Sequence, residues 1–175
     1  MNLERVRVRT AVLAVLAGLF LEGCAHRTAS TPVPVVDGQP QIYDSRADGE
    51  AQLAAALAQA KRENKRVLLD LGASWCRDCQ AMYRLLHGDR KILRELERHY
   101  VLVLVDVGGK GSAPRNASVV ARFGDPLNRG IPVLLVLAPD GTLLNTDSAE
   151  RLADTDHGEP AKVLAYLSKW SGAGR

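Results

Sequence analysis

The sequence predicts one α/β domain, a mixed central β-sheet flanked by helices on both faces. Three observations predict it. Short apolar runs rich in valine and leucine stand at 66–71, 100–107 and 132–137. Stretches with apolar residues three and four apart lie between and around them. The two kinds of segment alternate along the chain, an order that buries a sheet between helical layers. The 175 residues are 46 % hydrophobic and 25 % charged, enough for one core of useful size. A formal charge of +3 without a basic stripe gives no footprint for nucleic acid.

The first 23 residues stand apart from this pattern. Arg5, Arg7 and Arg9 precede the apolar run Ala11–Leu21, which is short for a bilayer span and suits the core of an export signal. The run ends in Leu21-Glu22-Gly23-Cys24, which resembles the lipobox of bacterial lipoproteins, although Glu22 replaces the usual small uncharged residue. That resemblance implies a signal peptide over 1–23, lipidation of Cys24, and a protein anchored in the bacterial cell envelope facing the periplasm. An ordinary signal peptide with Cys24 as an incidental thiol is the alternative. Residues 24–43, rich in Pro, Ser and Thr, predict a semi-extended tether, and the domain is expected over 44–172.

Within the domain, Leu53, Leu57 and Ala60 predict a helix over 49–64. Arg66–Leu71 reads as a buried strand. Met82, Leu85 and Leu86, then Ile92, Leu93 and Leu96, predict a helix broken around His87-Gly88-Asp89. Tyr100–Val107 is the clearest strand, followed by a glycine-rich loop to Asn116 and a short helix over 117–123. Pro132–Leu137 is a further strand. Pro139-Asp140-Gly141 predicts a turn, because proline presets φ and glycine accepts positive φ, so 142–145 is expected to return as an antiparallel edge strand. Pro160–Trp170 predicts a closing helix with Val163, Leu164, Leu167 and Trp170 on its apolar side.

Chemistry concentrates after the first strand, where Cys76 and Cys79 stand two residues apart at the start of a helix. Backbone N–H groups at a helix N-terminus carry partial positive charge, which favours a thiolate at Cys76 and makes it the nucleophile. Cys79, within one helical turn, can attack a mixed disulfide on Cys76 and release its partner. A structural disulfide, or half of a metal site, are the alternatives. Zinc needs further ligands, and the chain offers no second such pair, only scattered His26, His87, His99 and His157.

Trp75-Cys76-Arg77-Asp78-Cys79, together with the distant Gly130-Ile131-Pro132 before a buried strand, resembles the thioredoxin superfamily over essentially the whole domain. The resemblance implies the thioredoxin fold and a thiol:disulfide oxidoreductase with no bound cofactor or metal. It implies Asp70 as a buried proton acceptor for Cys79 and Trp75 as a contact residue. It also implies a cis Pro132, with the Ile131 backbone pairing with the substrate chain. Partners implied are protein thiol or disulfide clients and a membrane or periplasmic redox partner, with reduction the expected direction.

Two positions depart from the family. Leu102 stands where many thioredoxins carry a lysine near the aspartate. Arg77-Asp78 replaces the usual Gly-Pro, and residues between the cysteines tune the balance of dithiol and disulfide. A non-catalytic module holding a partner protein or a copper ion through the cysteines is the rival from another class.

Overall fold

The computed structural model describes residues 33–36, 38–146 and 159–172. The expected signal peptide and Cys24 lie outside the described residues.

The core is a three-stranded sheet in the order β4-β3-β5. Central β3 (Arg66–Gly72) runs parallel to β4 (Tyr100–Asp106) and antiparallel to β5 (Val133–Leu137). β3 is apolar on both faces because both are covered. Val67, Leu69 and Leu71 join Val101, Val103, Val105 and Leu135 beneath α1 (Gly49–Glu63) and α4 (Ala117–Arg122). Leu68, Leu134 and Val136 face Met82 and Leu86 of α2 (Arg77–Gly88), Ile92 and Leu96 of α3 (Arg90–His99), and Val163 and Leu167 of α5 (Pro160–Trp170). Side chains alternate along a strand, so Asp70 falls on the same face as Leu68.

Local chemistry sets the boundaries. Asp48 caps α1, its Oδ1 accepting from the amides of Glu50 and Ala51, and Asn64 ends that helix in the left-handed region at φ 53°. The expected break at 87–89 resolves onto Asp89. Its amide donates to Leu85 O at the end of α2, while its Oδ1 accepts from the amides of Lys91 and Ile92 to begin α3. β5 starts at Val133, because Pro132 has no N–H to give the ladder.

Two expectations are corrected. Residues 142–145 do not form an edge strand: one bridge joins Leu143 to Leu137, and the ladder ends there. The Asn145 side chain replaces it. Its Oδ1 accepts from Val136 N at 2.7 Å, and its Nδ2 donates to Leu134 O at 2.9 Å and to Tyr166 Oη at 2.8 Å. One amide side chain thus closes the edge that a strand's backbone would have closed.

The second correction concerns the tether. Val35–Val36 (β1) pairs antiparallel with Gln39–Pro40 (β2), and Tyr43 is buried within the domain. The fold therefore begins before residue 44. A short 3-10 helix at Pro126–Arg129, ahead of the cis peptide at Ile131–Pro132, is likewise absent from the sequence reading. Among the described residues, no helix is long and apolar enough to cross a membrane.

Asn145→Ala is expected to leave Val136 N without a partner in a buried setting, while Leu134 O keeps the Tyr166 hydroxyl at 3.0 Å, destabilising the domain by about 2 kcal/mol. Urea unfolding of the oxidised protein measures this.

Candidate active site

α2 begins directly at the motif. A tight turn, Cys76 N donating to Ala73 O at 3.0 Å, carries the chain from the end of β3 into the helix. Cys76 is the N-cap, its Sγ accepting from Cys79 N at 3.1 Å. The two sulfurs form a disulfide with Cα atoms 5.2 Å apart. Cys79 is fully buried, whereas Cys76 retains 4 % exposure, so a reagent from solvent meets Cys76 first.

The cis peptide at Ile131–Pro132 matches the expectation, and Ile131 O lies 3.5 Å from Cys76 Sγ. The half-exposed Trp75 is steered by the glycine-rich loop. Its Nε1 donates to Gly108 O at 3.1 Å, and Lys110 Nζ sits 5.4 Å from the ring centroid. Gly108 adopts φ +69°, and a Cβ there would fall 2.4 Å from Ala113 O, so only glycine lets the loop fold back. Arg77 and Asp78 lie exposed on the first turn of α2.

Asp70 is fully buried near the disulfide's own cluster. The strand register puts Leu104 opposite it and Leu102 opposite Leu68, so β4 offers it no cation. Its polar partner is Tyr43, whose phenol donates to Oδ1 at 2.9 Å, while Oδ2 is buried without a partner. Tyr43 packs with Cys76 and Cys79. Its own ionisation is pushed far up, by burial first and then by the Asp70 charge. Burial raises the Asp70 carboxyl to about 7, with the tyrosine bond acting in the opposite direction.

The structure thus brings Asp70, Trp75, Cys76, Cys79, Ile131 and Pro132 into one neighbourhood and leaves Arg77 and Asp78 at its solvent edge. Sequence reasoning missed Tyr43, which falls in the stretch assigned to the tether. The available signal was an aromatic just ahead of the α1 cap, with Gly72 ending the strand it would pack against. A recess of about 240 Å³, lined in part by Val36, Tyr43, Ser74, Trp75 and Arg115, opens beside the motif. Arg115 pairs there with the buried carboxylate of Asp106. Among the described residues, no group of three or more His, Cys, Asp or Glu could hold a metal.

The family model described as thioredoxin-like matches residues 48–139, more than half of the chain. The chain is 33 % identical to a disulphide isomerase from Xylella fastidiosa Temecula1, covering 74 % of this chain and 95 % of that one, with a TM-score of 0.64. It is 30 % identical to the thiol:disulfide interchange protein DsbD of Pseudomonas fluorescens over 121 residues, or 69 % of this chain and 18 % of that protein. A second match, DsbD 1 of Pseudomonas aeruginosa, is 35 % identical over 52 % of this chain and 14 % of its own length. The chain therefore spans less than a fifth of the interchange proteins it matches. The reduced C-terminal domain of Neisseria meningitidis DsbD, 22 % identical with a TM-score of 0.51 over 70 % of this chain and 97 % of that one, shares the fold. These features define a thioredoxin-fold protein with a dithiol–disulfide pair at the start of a helix. The chain belongs to the thioredoxin-like family.

The buried carboxyl makes stability depend on pH. Asp70 titrates near 3.9 when unfolded and about 7 when folded, so between these values the folded state holds a proton that the unfolded state has lost. Its effect is absent below the lower value, and stability falls as pH rises toward the upper one. The full gap corresponds to roughly 4 kcal/mol. Asp70→Asn is expected to flatten this decline and to be more stable than the parent at pH about 8. Denaturant midpoints of the oxidised proteins across that range check it.

Proposed function

We propose that this protein is a lipid-anchored, periplasm-facing thiol:disulfide oxidoreductase that reduces disulfides in client proteins, with Cys76 as nucleophile and Cys79 as resolving thiol. The Cys76 thiolate attacks one sulfur of a client disulfide, forming a mixed disulfide and expelling the client's other sulfur as a thiolate that takes up a proton. Cys79 gives its proton to Asp70, and its thiolate attacks Cys76 Sγ. The bond between Cys76 and the client breaks, the client leaves as a dithiol, and the Cys76–Cys79 disulfide closes. Two electrons pass from this protein to the client. A membrane or periplasmic dithiol partner must return them, because the periplasm has no thiol buffer to do so.

The observation that carries this reading is the Cys76 sulfur capping α2 while lying 3.5 Å from Ile131 O. An extended client segment can pair with that backbone as an added strand, presenting its sulfur to Cys76. Trp75, the partly exposed aromatic beside the motif, supplies apolar contact area to the same client. Arg77 and Asp78 set the balance between dithiol and disulfide from the rim. The export-signal pattern of residues 1–23 and the lipobox-like Cys24 support the envelope location, as does the likeness to proteins named for thiol:disulfide interchange.

Cys79→Ser is expected to accumulate covalent mixed disulfides in cells, visible as adducts that vanish on reduction and are lost when Cys76 is also replaced. No adducts would favour a module that binds partner or copper without turnover. For the direction, the reduction potential of the pair is expected near or below that of cytosolic thioredoxins, about −270 mV. A value around −120 mV, typical of a strong oxidant, would reverse the direction of electron flow.

A further inference from the structure

We propose that Tyr43 is a positioning residue for the resolving step, its phenol holding Asp70 as the proton acceptor for Cys79. This rests on the reading of Asp70 as that acceptor. Four independent features converge on the phenol. The Tyr43 hydroxyl donates to Asp70 Oδ1 at 2.9 Å, both residues being essentially inaccessible to solvent. The Tyr43 backbone is tied on both sides to Ser74: its N–H donates to Ser74 Oγ at 3.0 Å, and that hydroxyl donates to Tyr43 O at 3.3 Å. Ser74 is in turn bound to α2, its carbonyl accepting from Gln80 Nε2 at 2.8 Å. Gly72 makes room for the ring, since a Cβ there would lie 2.4 Å from the phenol oxygen. The tyrosine is thereby locked to the segment that carries the cysteines, packs against them, and is bonded to the Asp70 carboxyl.

A hydrogen bond donated to a carboxylate favours its ionised form, whereas burial favours the acid. Without the phenol, Asp70 would keep its proton to higher pH and fewer molecules would have a free acceptor when Cys79 must lose its own. The surrounding groups leave Tyr43 as the adjustable partner. β4 contributes Leu104 and Asp106, the latter paired with Arg115, and β5 contributes apolar Leu134 opposite Asp70. The chain beside Tyr43 contributes Asp44, which is exposed and paired with Arg46, and the start of α2 packs Cys76 and Cys79 against the tyrosine.

The test uses the full chain carrying Cys24→Ser, reduced and mixed with the aromatic disulfide dithiobis(nitrobenzoate). Attack by Cys76 releases one thionitrobenzoate. Closure of the Cys76–Cys79 bond then breaks the bond from Cys76 to the bound aromatic sulfur and releases the second, so the slower phase reports resolution. The parent's second phase is expected to inflect near the Asp70 titration. Tyr43→Phe is expected to move that inflection about one pH unit alkaline, slowing resolution roughly tenfold on the acid side while the first phase is unchanged. Asp70→Asn should abolish the inflection, and the double variant should match Asp70→Asn alone. A parent-like profile for Tyr43→Phe beside a flat Asp70→Asn overturns the role of Tyr43 alone. An inflection that persists in Asp70→Asn overturns the acceptor reading and the Tyr43 role with it. Should Tyr43→Phe fail to fold, the Tyr43 ring carbon in ¹³C-tyrosine-labelled reduced parent is expected to titrate with the inflection of the second phase. A ring signal flat from roughly pH 5 to 9 overturns the proposal.

Discussion

The site depends on the place where β3 becomes α2. The first amides of a helix have no partners within it, and here the Cys76 sulfur takes one of them, the N–H of Cys79. The same short turn sets the rest of the neighbourhood. It turns Trp75 outward toward the glycine loop, brings Cys79 inward beneath the helix, and leaves Cys76 beside the carbonyl that precedes the cis proline. In the proposed chemistry helix capping and nucleophile activation are one interaction, because the dipole that needs a negative partner is the one that favours a thiolate.

The sheet holds that turn in place at a cost. Central β3 is buried on both faces, and at one position it carries a carboxyl in place of a leucine or valine. Nothing in the core gains from this, since Asp70 satisfies one oxygen with Tyr43 and leaves the other bare. A group that burial drives toward neutrality at ordinary pH weakens the fold but can give and take a proton where the solvent cannot reach. Stability is sacrificed at the residue where the proposed chemistry needs it, while the layers of apolar side chains on either side supply the surplus.

Most of the architecture was legible because it is periodic. The helical spacing of Leu53, Leu57 and Ala60, the run Tyr100–Val107, and the break at Asp89 are repeating or local signals, and each lies where it was read. The cysteine pair was legible from its spacing, and the Ile131-Pro132 loop through the resemblance to the thioredoxin superfamily. What escaped was carried by single contacts between distant residues. The phenol of Tyr43 reaches a strand 27 positions away, and Asn145 substitutes its side chain for backbone that a strand would have supplied. Proline, serine and threonine over residues 24–43 described a tether, and composition alone carries no mark of a two-residue hairpin followed by a buried tyrosine.

The most direct measurement is the titration of the Cys76 thiol in the reduced protein, followed by thiolate absorbance with Cys24 and Cys79 replaced by serine. A sulfur that caps a helix should ionise well below the free-cysteine value of about 8.5, so thiolate should predominate at neutral pH. A midpoint at or above about 8.5 would mean that the N-terminus of α2 does not activate Cys76, and would contradict the nucleophile on which the proposed function stands.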